Sequence, residues 1–184
     1  MNVTFFGVDL RRTLKELIER TVSVKDYIMY MNDPFRGRFL ERMKTYSLNE
    51  ENVEELKNYV DKIFLVVFSA EWCKDCTANV PVLALLADKT GLKVRVYGGL
   101  KKDPLSPNEK WRIPPSPPEV REFKVERTPH IVIFHTNGRE LGKIVENPAP
   151  NKTMEEEVLQ LVRQGKKGKT LRRENCDMHA YEYQ

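Results

Sequence analysis

Residues 64 to 76 read FLVVFSAEWCKDC. Phe64 to Phe68 is an apolar run rich in β-branched residues, of a length that suits a buried strand. The polar turn after it leads directly into two cysteines spaced C-x-x-C, Cys73 and Cys76. From Cys76 the period changes: Val80, Leu83, Ala84 and Ala87 recur three or four apart, the spacing of one helix face. Both sulfurs therefore fall in or just before a first helical turn, where unpaired backbone N–H groups and the positive end of the helix dipole gather. That setting favours a thiolate, the form of cysteine that attacks a disulfide. The stretch predicts a dithiol–disulfide site.

The composition sets the frame around this stretch. At 184 residues the chain is long enough to bury one substantial core. With 40 % hydrophobic and 32 % charged residues, and no apolar run near the roughly 18 residues that cross a bilayer, it reads as a soluble globular protein. The first twenty residues lack the basic-then-apolar layout of a signal peptide, so a cytoplasmic location is expected. In a reducing cytosol a C-x-x-C pair reads as catalytic or metal-binding before it reads as a structural staple. The net charge of +4 is mild and does not by itself imply nucleic acid.

The chain divides into an N-terminal helical extension (1–60), a central domain (61–165) with a Pro-rich insertion (98–118), and a basic tail (166–184). In the extension, Leu10, Leu14, Leu17, Ile18, Val24, Tyr27, Ile28 and Met31 predict one or two amphipathic helices, stopped at Asn32-Asp33-Pro34. A helix from Phe35 to about Tyr46 follows. Ser47-Leu48-Asn49-Glu50 has the form of a capping box opening a third helix with Val53, Leu56, Tyr59, Val60 and Ile63 as its stripe. The helix after Cys76 runs to about Lys89, with Pro81 inside it and Gly91 at its end. Leu92 to Tyr97 alternates as a second strand, parallel to the first by the tightness of the crossover. The dense prolines of 98–118 predict an extended or polyproline-like loop. Beyond a short helix at Glu119 to Val125, Thr128-Pro129 introduces a strand at His130 to Phe134, Asn137-Gly138 turns the chain, and Glu140 to Val145 returns. Thr153-Met154-Glu155-Glu156 opens a last helix, with Gly165 as its expected stop. The tail after Gly165 reads as a solvated extension, and its cluster of lysines and arginines as a solvated charge run.

These residues resemble a known family. AEWCKDC, Pro81 eight residues after Cys73, Thr128-Pro129 before an apolar strand, and Asn137-Gly138 before a final amphipathic helix are similar to the thioredoxin-like family. The likeness is strongest to members that run W-C-x-D-C and then N-V-P-V-L-A, here Trp72 to Cys76 and Asn79 to Ala84, and it covers about residues 60 to 165. It implies an α/β thioredoxin fold, βαβ then ββα around a central mixed four-stranded sheet. It implies a thiol–disulfide oxidoreductase in which Cys73 is the exposed attacking thiolate and Cys76 the buried resolving thiol. Trp72 is then a flanking aromatic and Pro129 a cis-proline facing the pair, with the Thr128 backbone placed to pair with an extended substrate chain. No bound organic cofactor or metal is implied. The expected partners are a disulfide-containing protein substrate and an external dithiol donor or reductase, with no nucleic acid and no membrane.

Two positions depart from the family pattern. Thioredoxins carry a buried aspartate six positions before the first cysteine, which the resemblance assigns to deprotonating the resolving thiol; here that position is Val67. Lys74-Asp75 replaces the usual Gly-Pro, and their charges act on Cys73 with opposite sign, each worth only about 0.3–1 kcal/mol when exposed. The motif therefore leaves the direction of electron flow open. Two alternatives stand beside the enzyme: a protein-binding module without redox turnover, and a zinc staple. Zinc asks for four ligands, and the remaining candidates, Cys176, His130, His135 and His179, form no second paired knuckle. His130 reads first as a strand-start histidine, with tuning of the thiolate as the alternative, and Trp111 first as a loop aromatic packed onto the domain, with capping of a substrate groove as the alternative.

Overall fold

The computed structural model describes residues 4–5, 8–9, 17–106 and 109–177, with side chains described between residues 17 and 165. Its strands are β1 (Thr4–Phe5), β2 (Val8–Asp9), β3 (Val22–Ser23), β4 (Ile63–Phe68), β5 (Lys93–Tyr97), β6 (His130–His135) and β7 (Glu140–Val145). Its helices are α1 (Val24–Met29), α2 (Phe35–Thr45), α3 (Glu50–Lys57), α4 (Lys74–Thr90), α5 (Glu119–Glu122) and α6 (Met154–Asp177). Strands β1 and β2 pair with each other, and the other five form one mixed sheet in the order β3-β5-β4-β6-β7.

Strand β4 lies at the centre because every one of its residues is buried, which only a strand covered on both faces and paired on both edges satisfies. It runs parallel to β5, with Val67 opposite Val96, and antiparallel to β6, with Phe68 opposite His130. Helix α4 connects β4 to β5 and is the hub of the helical packing: α1, α2, α3 and α6 all contact it. Gly91 ends α4 at φ +77°, a left-handed position that glycine occupies without steric cost. The β6–β7 connection, residues 136–139, carries Gly138 at φ +87°, and the His135 N–H donates across it to the Arg139 carbonyl. The Thr153 box forms as read: the Glu156 carboxylate accepts from the Thr153 N–H at 2.8 Å, and the Thr153 hydroxyl accepts from the Glu156 N–H at 3.3 Å.

The N-terminal third joins the same core. Leu17, Val24, Tyr27, Ile28, Met31, Phe39, Val53 and Leu56 are buried together with the β4 and α4 side chains. Within the stretch read as one or two helices over residues 10–31, Val22 and Ser23 are extended: they pair antiparallel with Val96 and Arg95 and add a fifth strand to the expected four. The Arg95 guanidinium holds this edge by donating to the Ile18 carbonyl at 2.7 Å and to the Thr21 hydroxyl at 2.9 Å. Leu10 and Leu14 lie outside the described residues.

Three further local readings differ from the structure. The α3 cap is Asn49, whose side chain accepts from the Asn52 N–H at 3.0 Å, and not Ser47. Helix α5 ends at Glu122, one turn short of Val125. Helix α6 runs through Gly165 to Asp177, so Gly165 is not its stop. Gly165 serves contact and does not end the helix: a Cβ there would lie 2.7 Å from the Leu141 side chain, and one at Gly142 would lie 2.7 Å from Leu161. This reciprocal pair lets α6 approach β7 closely. The side chains of the basic cluster and of Cys176 lie outside the described residues. Among the described residues no helix is long and apolar enough to cross a membrane.

The Pro-rich segment is more structured than an extended loop. Lys101 bridges to Ile113, the Asp103 N–H donates to the Lys110 carbonyl, and Asp103 pairs with Arg112. Leu100 and Trp111 are buried, and the Trp111 indole N–H donates to the Val125 carbonyl at 2.8 Å. Trp111 therefore packs onto the domain.

Candidate functional site

The pairing of Phe68 with His130 builds the site. It sets the residues just past the end of β4 beside those just before β6, so the turn carrying Cys73 meets Thr128 and Pro129. The Thr128–Pro129 bond is cis, and both residues are buried. Cys73 is the N-cap of α4, with extended backbone at φ −80° and ψ 126°. Its N–H donates to the Ala70 carbonyl, which closes the turn, and its own carbonyl accepts from the Thr77 N–H and hydroxyl.

The two sulfurs are free thiols in very different settings. Cys73 Sγ accepts from the Cys76 N–H at 3.3 Å and donates to the Thr128 carbonyl at 3.2 Å. The Cys76 thiol lowers the pKa of Cys73 most by hydrogen bonding; the Thr128 side chain and the backbone N–H groups of Cys76 and Asp75 add to this. Together they outweigh partial burial and bring Cys73 down to about 6. Cys76 is fully buried, and that burial, with the neighbouring Cys73 sulfur, pushes its thiol far up. The structure thus makes one sulfur a ready thiolate and keeps the other protonated. Cys73 is less open than an exposed nucleophile, at 9 % exposure.

The other expected residues fall around this pair with unequal involvement. Trp72 stands on the rim, 46 % exposed, with its indole N–H on the Leu100 carbonyl at 3.1 Å and its ring 6.3 Å from that of Trp111. The Pro-rich segment is therefore attached to the rim of the site. Lys74 is exposed. Asp75 acts on Cys73 through its backbone N–H, while its carboxylate accepts from Asn147 at 3.1 Å. Asn79 completes that link by donating to the Glu146 carbonyl and to Asn147 Oδ1. His130 does not bring a positive charge: burial, then the Lys143 charge, hold it neutral by pushing its pKa down to about 4. Its Nε2 has no hydrogen-bond partner, and its ring meets the Phe68 ring edge-on. Among the described residues no three His, Cys, Asp or Glu side chains gather as a metal site.

Val67 is buried and apolar, so no carboxylate faces Cys76 from that position. The polar groups that do face it, Ser69 and behind it Tyr27, were not singled out from the sequence. A signal existed for Ser69, since residues i and i+2 of an extended chain share a face and Ser69 is two beyond Val67.

A thioredoxin family model matches residues 21–105, from the start of β3 through β5 and both cysteines. The chain is 32 % identical over 98 residues to the thiol:disulfide interchange protein TxlA homolog of Synechocystis sp.. That alignment covers 53 % of this chain and 48 % of the relative, so the chain spans about half the length of the curated relative it matches. In fold it is similar to a crystal structure of a Pseudomonas aeruginosa protein of unknown function, with a TM-score of 0.60 and 15 % identity over 81 % of this chain and 96 % of that one. A crystal structure of an HIV epitope-scaffold has a TM-score of 0.59 at 14 % identity with the same shares covered. At such identities these two structures speak to the fold alone.

Proposed function

We propose that this chain, which belongs to the thioredoxin-like family of thiol–disulfide oxidoreductases, is a protein-disulfide reductase working in a reducing compartment such as the cytoplasm. The observation that carries this reading is the N–H of Cys76 directed at Cys73 Sγ at 3.3 Å, in a setting that lowers that thiol to about 6. From such a value roughly nine-tenths of Cys73 is thiolate at pH 7, against roughly 3 % for an unperturbed cysteine.

Cys73 attacks one sulfur of a substrate disulfide. A Cys73–substrate S–S bond forms, the substrate bond breaks, and its other sulfur leaves as a thiolate. Cys76 then loses its proton and attacks the Cys73 sulfur. The Cys73–Cys76 disulfide forms, the second substrate sulfur departs, and two electrons have passed from the protein to the substrate. Trp72, Lys74, Asp75, Thr128 and Pro129 flank the approach to Cys73 and shape what reaches it. The partners are a disulfide-containing protein and an external dithiol donor or reductase that restores the pair. The two sulfurs carry the exchange without a bound cofactor.

The test is the reduction potential of the Cys73–Cys76 pair, read by equilibrating the protein in glutathione or dithiothreitol buffers and counting free thiols. The expected value is near or below about −250 mV. A value between about −200 and −120 mV would turn the reading to an exchanger or oxidant. Failure to form the disulfide at any poise would remove the redox reading and leave a binding module.

A further inference from the structure

The Pro-rich segment forms a braced arm beside the redox site, and its charges are unevenly satisfied. Its two limbs are tied by the bridge between Lys101 and Ile113 and by the Asp103 N–H on the Lys110 carbonyl at 2.6 Å. The Lys101 N–H donates to the Ser116 hydroxyl at 2.8 Å, and the Leu105 N–H to the Asp103 carboxylate at 2.9 Å. The base of the arm is fixed by the Trp72 indole on the Leu100 carbonyl and by the Trp111 indole on the Val125 carbonyl. Both acids of the segment are taken: Asp103 pairs with Arg112, and Glu109 with Arg121 of α5 at 3.1 Å. Lys101, Lys102 and Lys110 are exposed and have no ion pair among the described residues.

Lys102 and Lys110 border one open cavity of about 420 Å³, together with Asp103, Pro104 and Ser106. With the Asp103 carboxylate already held by Arg112, the uncompensated charge at this cavity is positive. A concavity edged by charge of one sign gathers partners of the other. The cavity is also within reach of the reacting sulfur. Lys102 stands two residues past Leu100, roughly 7 Å of extended chain, and Leu100 holds Trp72, the neighbour of Cys73. A substrate chain whose cysteine meets Cys73 covers that span with about five residues.

We propose that the arm selects substrates by charge: its cavity receives an acidic segment of the substrate protein, close in sequence to the cysteine that Cys73 attacks. This rests on the reading of Cys73 and Cys76 as an exchanging pair and names the substrate class of that pair, protein disulfides flanked by aspartate and glutamate. Carboxylates of the segment meet Lys102 and Lys110, and Lys101 and Lys74, both exposed, extend the same field along the rim. The lysines take no part in bond making. They speed encounter and favour acidic partners over others. The braced backbone keeps their positions fixed relative to Trp72, so the selected segment and the reacting sulfur arrive together.

The test uses two synthetic peptides that carry a single cysteine as a mixed disulfide with 2-thiopyridine. One has aspartates and glutamates around the cysteine, and the other has asparagines and glutamines in their place. Attack by Cys73 on the peptide sulfur forms the Cys73–peptide disulfide, and the thiopyridine leaves as a thiolate that takes a proton and is read by its absorbance. Attack by Cys76 on Cys73 then frees the peptide thiol, read by mass. Each rate is divided by that with dithiothreitol, which removes the intrinsic difference between the peptides. The wild-type protein is expected to react with the acidic peptide about tenfold faster at low salt, and about equally with both near 1 M salt, where charges are screened beyond about 3 Å. Lys102→Gln combined with Lys110→Gln should bring the acidic peptide down to the rate of the neutral one. Lys89→Gln combined with Lys93→Gln removes the same charge at the end of α4 far from Cys73 and should keep the preference. Peptides that react alike with wild type, or a preference that survives loss of both arm lysines, would overturn the proposal while leaving the reductase reading intact. A wild-type protein that takes up both peptides and frees neither would overturn the reductase reading, whichever peptide it took up faster.

Discussion

Cys73 Sγ and the Thr128 carbonyl oxygen stand 3.2 Å apart, although 55 residues of chain separate them. The pairing of β4 with β6 makes this meeting, since a strand slipped by one residue would turn every side chain to the opposite face. The first cysteine is thus held from two directions: by the N–H groups of its own helix and by a loop from the far half of the domain. Each hold has measurable consequences.

Cys73→Ser should abolish exchange, because the attacking sulfur is gone. Cys76→Ser should leave the first step intact and stop the second, so that a stable mixed disulfide with a substrate protein accumulates at Cys73. Intact-mass spectrometry before and after reduction reads this directly.

The rate of alkylation of Cys73 by iodoacetamide should follow a thiolate titrating near pH 6, with Cys76 inert across the accessible range. Thr128→Val removes one of the groups that lower Cys73 and should move the midpoint upward. A midpoint unchanged in the folded variant would show that the Thr128 hydroxyl does not act on the sulfur.

His130 is held neutral by burial, with a folded-state pKa of about 4 beneath an ordinary value of 6.5. Between those values the unfolded chain binds more protons than the folded one. Stability is therefore fully present above about pH 6.5 and is lost as the pH falls toward 4, by about 1–2 kcal/mol from this residue. His130→Leu removes both the titration and the unpartnered Nε2, so urea midpoints for that variant should depend less on pH across this window.

Glu155 is buried, and its carboxylate accepts from the Tyr46 hydroxyl at 2.8 Å and the Asn49 N–H at 3.0 Å, joining the start of α6 to the α2–α3 connection. Glu155→Ala leaves both donors without a partner and should cost about 2–4 kcal/mol in denaturant unfolding. Glu155→Gln keeps an acceptor oxygen and should cost less. Equal losses in the two variants would place the effect in packing.

Gly98→Ala sets a Cβ against the Tyr27 ring, a rigid neighbour that yields only by moving as a whole. A loss of about 1–3 kcal/mol is expected. Tyr27→Ala in the same chain should relieve most of that clash, which a double-mutant cycle measures.

The features legible in the sequence were those written in neighbouring residues. The change from an apolar run to helical spacing across residues 64–84, the Thr153–Glu156 box and the Asn137-Gly138 turn each depend on a few consecutive side chains. Where a residue's role comes from a distant partner, the local pattern misled. Val22 and Ser23 sit in a helical-looking stretch but are extended because β5 offers them an edge. Gly165 resembles a helix stop, yet it lies inside α6 to admit Leu141. Ser47 fits a capping box, and Asn49, with the stronger claim of a side-chain amide at the first free N–H groups, takes the cap.

The sequence by itself determined that two cysteines stand at the start of a helix behind a buried strand, because strand period, turn and helix period follow one another without a gap. Only the tertiary structure decided what surrounds each sulfur. Thr128 reaches Cys73 through strand register, and Tyr27 reaches Ser69 from 42 residues away. A hydrogen bond forms over about 3 Å, and groups that far apart in sequence are brought within that distance by packing alone.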